Sequence, residues 1–146
     1  MLNRAEIAAR LPHAGSMVLI DRVVEWNESR IRCAALSHLV ADNPLCVAGG
    51  LDVYAGIEYA AQAAALHGAL LSKADAPRRG VLASVKNVSA STRWLNESIV
   101  EIFVEATLLH GDPAGAVFSF SLTDGQRSLR EGQFTLMYVD RTVAIA

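Results

Sequence analysis

An α+β fold, one long helix set against an antiparallel sheet, is predicted by three features of this sequence. The stretch AGIEYAAQAAALHGAL, residues 55–70, is alanine-rich and the most helix-prone part of the chain. Residues 99–109 alternate, with Val100, Ile102, Val104, Ala106 and Leu108 on one face and Glu101 and Glu105 on the other, the period of a half-buried antiparallel strand. Asp124-Gly125 separates two further alternating runs, Ala116, Phe118, Phe120 and Leu122 before it and Phe134, Leu136 and Tyr138 after it, which marks a hairpin.

The elements follow in order. AEIAARL near the N-terminus reads as a short amphipathic helix, and residues 16–26, rich in Val, Leu and Ile, as a first strand. Asn27-Glu28-Ser29 is a polar turn into a second strand over residues 30–36. Residues 37–50 mix Asp, Asn, Pro and a Gly-Gly pair, the composition of a long irregular loop, and loops of that length inside a domain are often functional. Asp52 is a suitable N-cap for a helix over residues 52–73, which ends before Ala-Asp-Ala-Pro-Arg-Arg-Gly. Four strands fill the remainder. A helix so short of large side chains allows a sheet to approach closely and curve round it, the hotdog arrangement. A single hotdog domain over residues 1–146 is expected, because 52% hydrophobic residues suffice for one core and neither repeats nor linkers divide the chain. Such a domain leaves sheet edges unpaired, so a dimer with a continuous sheet is the expected remedy.

Composition excludes several classes of function. A net charge of -2 gives no basic footprint for nucleic acid or an anionic membrane surface. Residues 53–71 are interrupted by Glu58, Gln62 and His67 and are mostly Ala, so they form a core helix and no membrane span. MLNRAEIAARLPHAG lacks the apolar run of a secretory signal, so a cytoplasmic location is expected. Cys33 and Cys46 fall in no metal-ligand or CxxC spacing and read as buried free thiols. No Gly-rich phosphate loop, metal cluster or GxSxG motif occurs, so neither a metal nor a bound cofactor is expected.

The residue that needs explaining is Glu58, a lone carboxylate in a helix otherwise built for burial. At 100° per residue, Glu58 and Gln62 lie within about 40° of one another, with Leu51 and Tyr54 on the same side and His67 pointing away. Ile57, Tyr59, Ala60 and Ala61 flank Glu58, so no broad charged face surrounds it. A carboxyl in apolar surroundings has its pKa raised and can then serve as acid or base near neutral pH. The alternative is a solvated helix edge, with Glu58 compensating the helix dipole.

Two motifs carry a resemblance. LPHAGSMVLIDRVVEW resembles the N-terminal motif of bacterial β-hydroxyacyl-acyl-carrier-protein dehydratases, and IEYAAQAA resembles their central-helix motif, in which Gln follows Glu by four residues. The chain is most similar to the dehydratase-like hotdog subfamily of aryl-polyene-type gene clusters. The resemblance implies a lyase of fatty acid or polyene biosynthesis that removes water from a 3-hydroxyacyl thioester of acyl carrier protein or coenzyme A. It gives Glu58 the acid-base role, Gln62 an orienting role beside it, and His13 a place at the pocket edge. In that family a loop histidine from Gly-His-Phe-Pro-Gly completes the pair across a dimer interface. Here the corresponding stretch is LVADNPLCVAGGLDVYAG, with no histidine between Leu39 and Glu58, and Asp52-Val53 stands where the family has Pro-Gly. His13 and His38 are the candidate replacements for the base, while His67 and His110 read as structural or exposed. Gly49, Gly50 or Gly56, together with Tyr54, are the candidates for binding substrate, since glycine lets a backbone N–H approach a thioester oxygen closely. Three functions therefore stand side by side: a dehydratase, a hotdog acyl thioesterase, and a non-catalytic subunit of a heteromeric dehydratase. The expected assembly is a homodimer or a hetero-oligomer with a related dehydratase.

Overall fold

The computed structural model describes residues 1–12, 15–72, 79–125 and 127–139. Along the chain come α1 (Arg4–Ala8), β1 (Arg22–Trp26), β2 (Arg30–Ala35), α2 (Val53–Ser72), β3 (Arg79–Ala90), β4 (Ile102–Asp112), β5 (Gly115–Thr123) and β6 (Ser128–Val139). Short 3-10 turns lie at Gly15–Met17, Ser37–Leu39 and Leu95–Glu97. The strands form one antiparallel sheet in the order β1-β2-β4-β5-β6-β3. α2 lies across it and packs against β2, β3, β4, β5 and β6. This is the hotdog arrangement.

Its physical basis is the small-residue face of α2. Ala60, Ala63 and Ala64 are fully buried and bring the helix close to the sheet. The inward positions of the strands then fill the layer between: Ile102, Val104 and Ala106 from β4, Phe118, Phe120 and Leu122 from β5, Phe134 and Leu136 from β6. Phe118 stacks on Phe134 at 5.7 Å between ring centroids, and Phe120 tilts against the same ring at 5.6 Å. At the start of α2 an Asp52 oxygen accepts the N–H of Ala55, so the predicted cap forms. Lys73, the predicted last helical residue, lies outside the described residues.

The structure departs from expectation in three places. The first strand begins at Arg22, because the N–H groups of Leu19 and Ile20 are taken by the Gln62 side chain and are not available to a ladder. β4 begins at Ile102, where it pairs with Ala35, and Val100 stands outside it, half exposed. Cys33 is buried and its thiol is pushed up to about 12, but Cys46 is exposed on the loop before α2.

His67 also turns out to be fully buried. Its Nε2 donates to the carbonyl of Asn27 at 2.8 Å, tying α2 to the β1–β2 turn, and its ring meets Phe118 edge-on. Burial pulls its pKa below the ordinary 6.5, against the opposing pull of the Asn27 carbonyl. A histidine with a lowered folded pKa binds fewer protons folded than unfolded, so its contribution is complete above pH 6.5 and is lost as pH falls further. Thermal unfolding should therefore show a midpoint that declines from pH 7 toward pH 5 (about the lower limit at which carboxylates stay ionised). The decline should be shallower in His67→Gln, which keeps a donor for Asn27 but does not titrate.

Candidate functional site

The first half of α2 has one uncovered stripe. Tyr54 is 76% exposed and Glu58 one turn later is also exposed, while Ala55, Gly56, Ile57, Tyr59 and Ala60 are buried. The stripe continues through Ala61 and Ala65, both partly covered, at helical spacing. Among the described residues, Glu58 is therefore the only carboxylate on this solvent-open apolar strip of helix.

Gln62 points inward instead. It is 3% exposed; its Oε1 accepts the N–H groups of Leu19 at 2.7 Å and Ile20 at 3.2 Å, and its Nε2 donates to the Met17 carbonyl at 2.8 Å. The glutamine of the helix motif thus binds the backbone of residues 17–20, inside the Leu-Pro-His motif and just before β1. His13 lies outside the described residues.

Tyr59 organises the loop before α2. Its hydroxyl bonds Ser37 Oγ at 2.6 Å and accepts from Asn43 Nδ2 at 3.1 Å; Ser37 Oγ donates to the Leu19 carbonyl. Burial raises the phenol's pKa, partly offset by these two side chains. The same loop walls a cavity of about 320 Å³ lined by His38, Val40, Cys46, Gly49, Leu51 and Asn96. His38, one of the two candidate bases, is 3% exposed. A carbonyl only accepts, so its Nε2 carries the proton and donates to Ser98 O at 3.0 Å. Its Nδ1 is buried with no hydrogen-bond partner among the described residues. Burial lowers its pKa, so the ring is neutral at physiological pH.

The candidate glycines differ in what surrounds them. Gly50 donates its N–H to Val47, and a Cβ there would stand 2.5 Å from the Trp94 ring. At Gly56 a Cβ would stand 2.9 Å from Cγ of Arg130. Both close approaches are therefore filled by the chain's own side chains. Gly49, with φ +84°, has open space around it and faces the 320 Å³ cavity. Ala48 beside it adopts φ 52°, in a tight turn closed by the two hydrogen bonds between Val47 and Gly50. Among the described residues no group of three or more His, Cys, Asp or Glu side chains is placed to hold a metal ion, and no helix is long and apolar enough to cross a membrane.

A family model described as ApeP dehydratase, ApeP-like, matches residues 5–145. The dehydratase heterocomplex ApeI:P from Xenorhabdus doucetiae contains a chain that superposes with a TM-score of 0.82 at 21% identity, over 93% of this chain and 92% of that one. An HP0420 homologue from Helicobacter felis superposes at 0.64 with 14% identity, over 96% and 91% of the two chains. A mutant of the thioesterase PA1618 from Pseudomonas aeruginosa superposes at 0.63 with 14% identity, over 95% of both chains. No curated protein matches the sequence.

Two substitutions test the local reading. Gln62→Leu leaves two buried N–H groups and one carbonyl unsatisfied and should destabilise the fold by about 2–4 kcal/mol in denaturant titrations. Ala48→Asn relieves a left-handed alanine and should stabilise it by about 0.5–1 kcal/mol.

Proposed function

The chain belongs to the ApeP-like dehydratase family, and from that premise we propose that it forms half of a dehydratase site for a 3-hydroxyacyl thioester, completed by a second hotdog subunit. The observation that carries this is the uncovered apolar stripe of α2 with Glu58 as its sole carboxylate. Such a strip is half of a pocket. In support, β3 is one of the two edge strands of the sheet, pairs with β6 alone among the described residues, and exposes Val81 and Val85, a pairing edge for another chain.

Dehydration removes the α-proton to a base and delivers a proton to the departing β-hydroxyl, so two groups must share the work. Glu58 supplies one of them. His13 or a residue of the neighbouring subunit supplies the other, with the thioester oxygen near Gly49 and the acyl chain along Tyr54 and Ala61. Gln62 acts indirectly, by locking the helix to residues 17–20. The acyl group arrives on acyl carrier protein or coenzyme A, in the cytoplasm, a setting that the reduced, inert Cys33 fits.

The test is to assay the chain alone and mixed with a hotdog dehydratase that retains its loop histidine, using a 3-hydroxyacyl thioester of acyl carrier protein. Mixing should raise enoyl formation, and Glu58→Gln should lower it by on the order of 10²–10⁴. Sedimentation should show a dimer at micromolar concentration. Release of free thiol with no enoyl product would instead establish the thioesterase reading. Full activity in Glu58→Gln would overturn the role given to Glu58. His13→Ala separates a base, whose loss costs a similar factor in a folded protein, from a structural group, whose loss costs stability.

A further inference from the structure

Arg130 of β6 is 1% exposed, the largest of the fully buried side chains. Its Nη1 donates to Thr92 Oγ1 at 3.0 Å and to the Leu129 carbonyl at 2.7 Å, and its Nη2 to the Arg93 carbonyl at 3.4 Å. Among the described residues no carboxylate lies within ion-pairing distance of it, and its Nε has no hydrogen-bond partner. Asp52 and Glu97 attract it from farther away. An interior guanidinium without a carboxylate partner is costly, and an apolar side chain of the same length would fill the space at less cost. What an apolar side chain could not do is hold several acceptors at once with a planar fork of donors.

Two of those acceptors, Thr92 and Arg93, belong to the segment that clamps the start of α2. The Leu95 N–H donates to Leu51 O at 2.7 Å, Asn96 Oδ1 accepts the Leu51 N–H at 3.1 Å, and the Trp94 ring covers Gly50. The arginine's aliphatic stem then touches the helix itself, with Cγ and Cδ 2.9 and 3.4 Å from where a Cβ of Gly56 would stand. Arg130 thus bears on the helix start through residues 50–51 and directly at Gly56, on both sides of the Asp52 cap. Glu58 follows two residues on, a rise of about 3 Å.

We infer that Arg130 is a positioning residue, whose buried guanidinium fixes the first turn of α2 and thereby the reach of Glu58. The second half of this inference rests on the acid-base role proposed for Glu58; the first half does not. A displacement on the scale of 1 Å at a reacting group can cost about 10² in rate, so a loosened helix start should be visible in turnover.

The experiment compares wild type with Arg130→Met, Arg130→Lys and Gly56→Ala in the full chain, by amide hydrogen exchange and by the two-subunit dehydration assay on a 3-hydroxyacyl pantetheine thioester. Arg130→Met should speed exchange over residues 51–58 by roughly ten-fold or more, with residues 102–108 and 116–122 unchanged; Arg130→Lys should fall between, since one ammonium cannot bridge all three acceptors. Turnover should drop by about ten-fold with KM unchanged, an interaction expressed in the transition state alone. Unchanged exchange at 51–58 in folded Arg130→Met, or equal acceleration throughout the chain, would overturn the inference. Should Arg130→Met fail to fold, Gly56→Ala displaces the arginine while keeping its charge, and unchanged exchange at 51–58 there overturns it equally. Faster exchange with turnover insensitive to both Arg130→Met and Glu58→Gln would support the clamp and overturn the role of Glu58. Faster exchange with turnover sensitive to Glu58→Gln alone would overturn the link between Arg130 and the site.

Discussion

Burying α2 obliges each of its inward polar side chains to find a partner, and the irregular parts of the fold are arranged by those partners. A buried polar group left unpaired costs about 1–3 kcal/mol, so the pairings are not optional. Gln62 takes the backbone of residues 17–20, Tyr59 takes Ser37 and Asn43 of the long loop, and His67 takes the carbonyl of the β1–β2 turn. Each bond reaches a segment that is neither helix nor ladder there. The sheet is held by its own ladders and apolar side chains, whereas the connections around the site are held by the helix.

This division explains which features are legible in the sequence. Alternation in β4 and β5 reports burial directly, because each strand has one face on the core; the observed pattern over Ile102–Ala106 follows it residue by residue. The helix is legible from alanine content and the Asp52 cap. The start of β1 is not, because Val18, Leu19 and Ile20 are all buried, as in a strand, while the N–H groups of Leu19 and Ile20 go to a side chain 42 or 43 residues away. Local sequence carries no sign of that competitor. His38 fails for the same reason: its carbonyl partner, Ser98, is 60 residues distant.

The site is legible to a lesser degree. Glu58 stands out because a lone carboxylate in an apolar helix is unusual, but its exposure on this chain is also what a solvated helix edge would show. The glycines are harder, since the sequence says that something approaches closely but not what. At Gly50 it is Trp94 and at Gly56 it is Arg130, both from strands or turns more than 35 positions later. A signal for Arg130 did exist: it is an arginine at a position where the alternation of β6, with Leu136 and Phe134 inward, calls for an apolar side chain.

The lone charge also constrains what can cover the stripe. Apolar surface laid over Tyr54, Ala61 and Ala65 would remove Glu58 from water with nothing in exchange, and an ionised carboxylate buried that way is several kcal/mol worse off, by the usual desolvation cost. A covering wall must therefore bring a hydrogen-bond donor or a cation to Glu58, or leave it room for water or for the substrate's hydroxyl. A second copy of this chain would bring its own Glu58 stripe, one carboxylate for another if the two faced directly, whereas a related subunit with a donor at that level would satisfy it. The charge on α2 thus favours pairing between unlike subunits wherever the two helix stripes come together, and it does so by the same rule of polar satisfaction that fixes Gln62, Tyr59 and His67 on the helix's other faces.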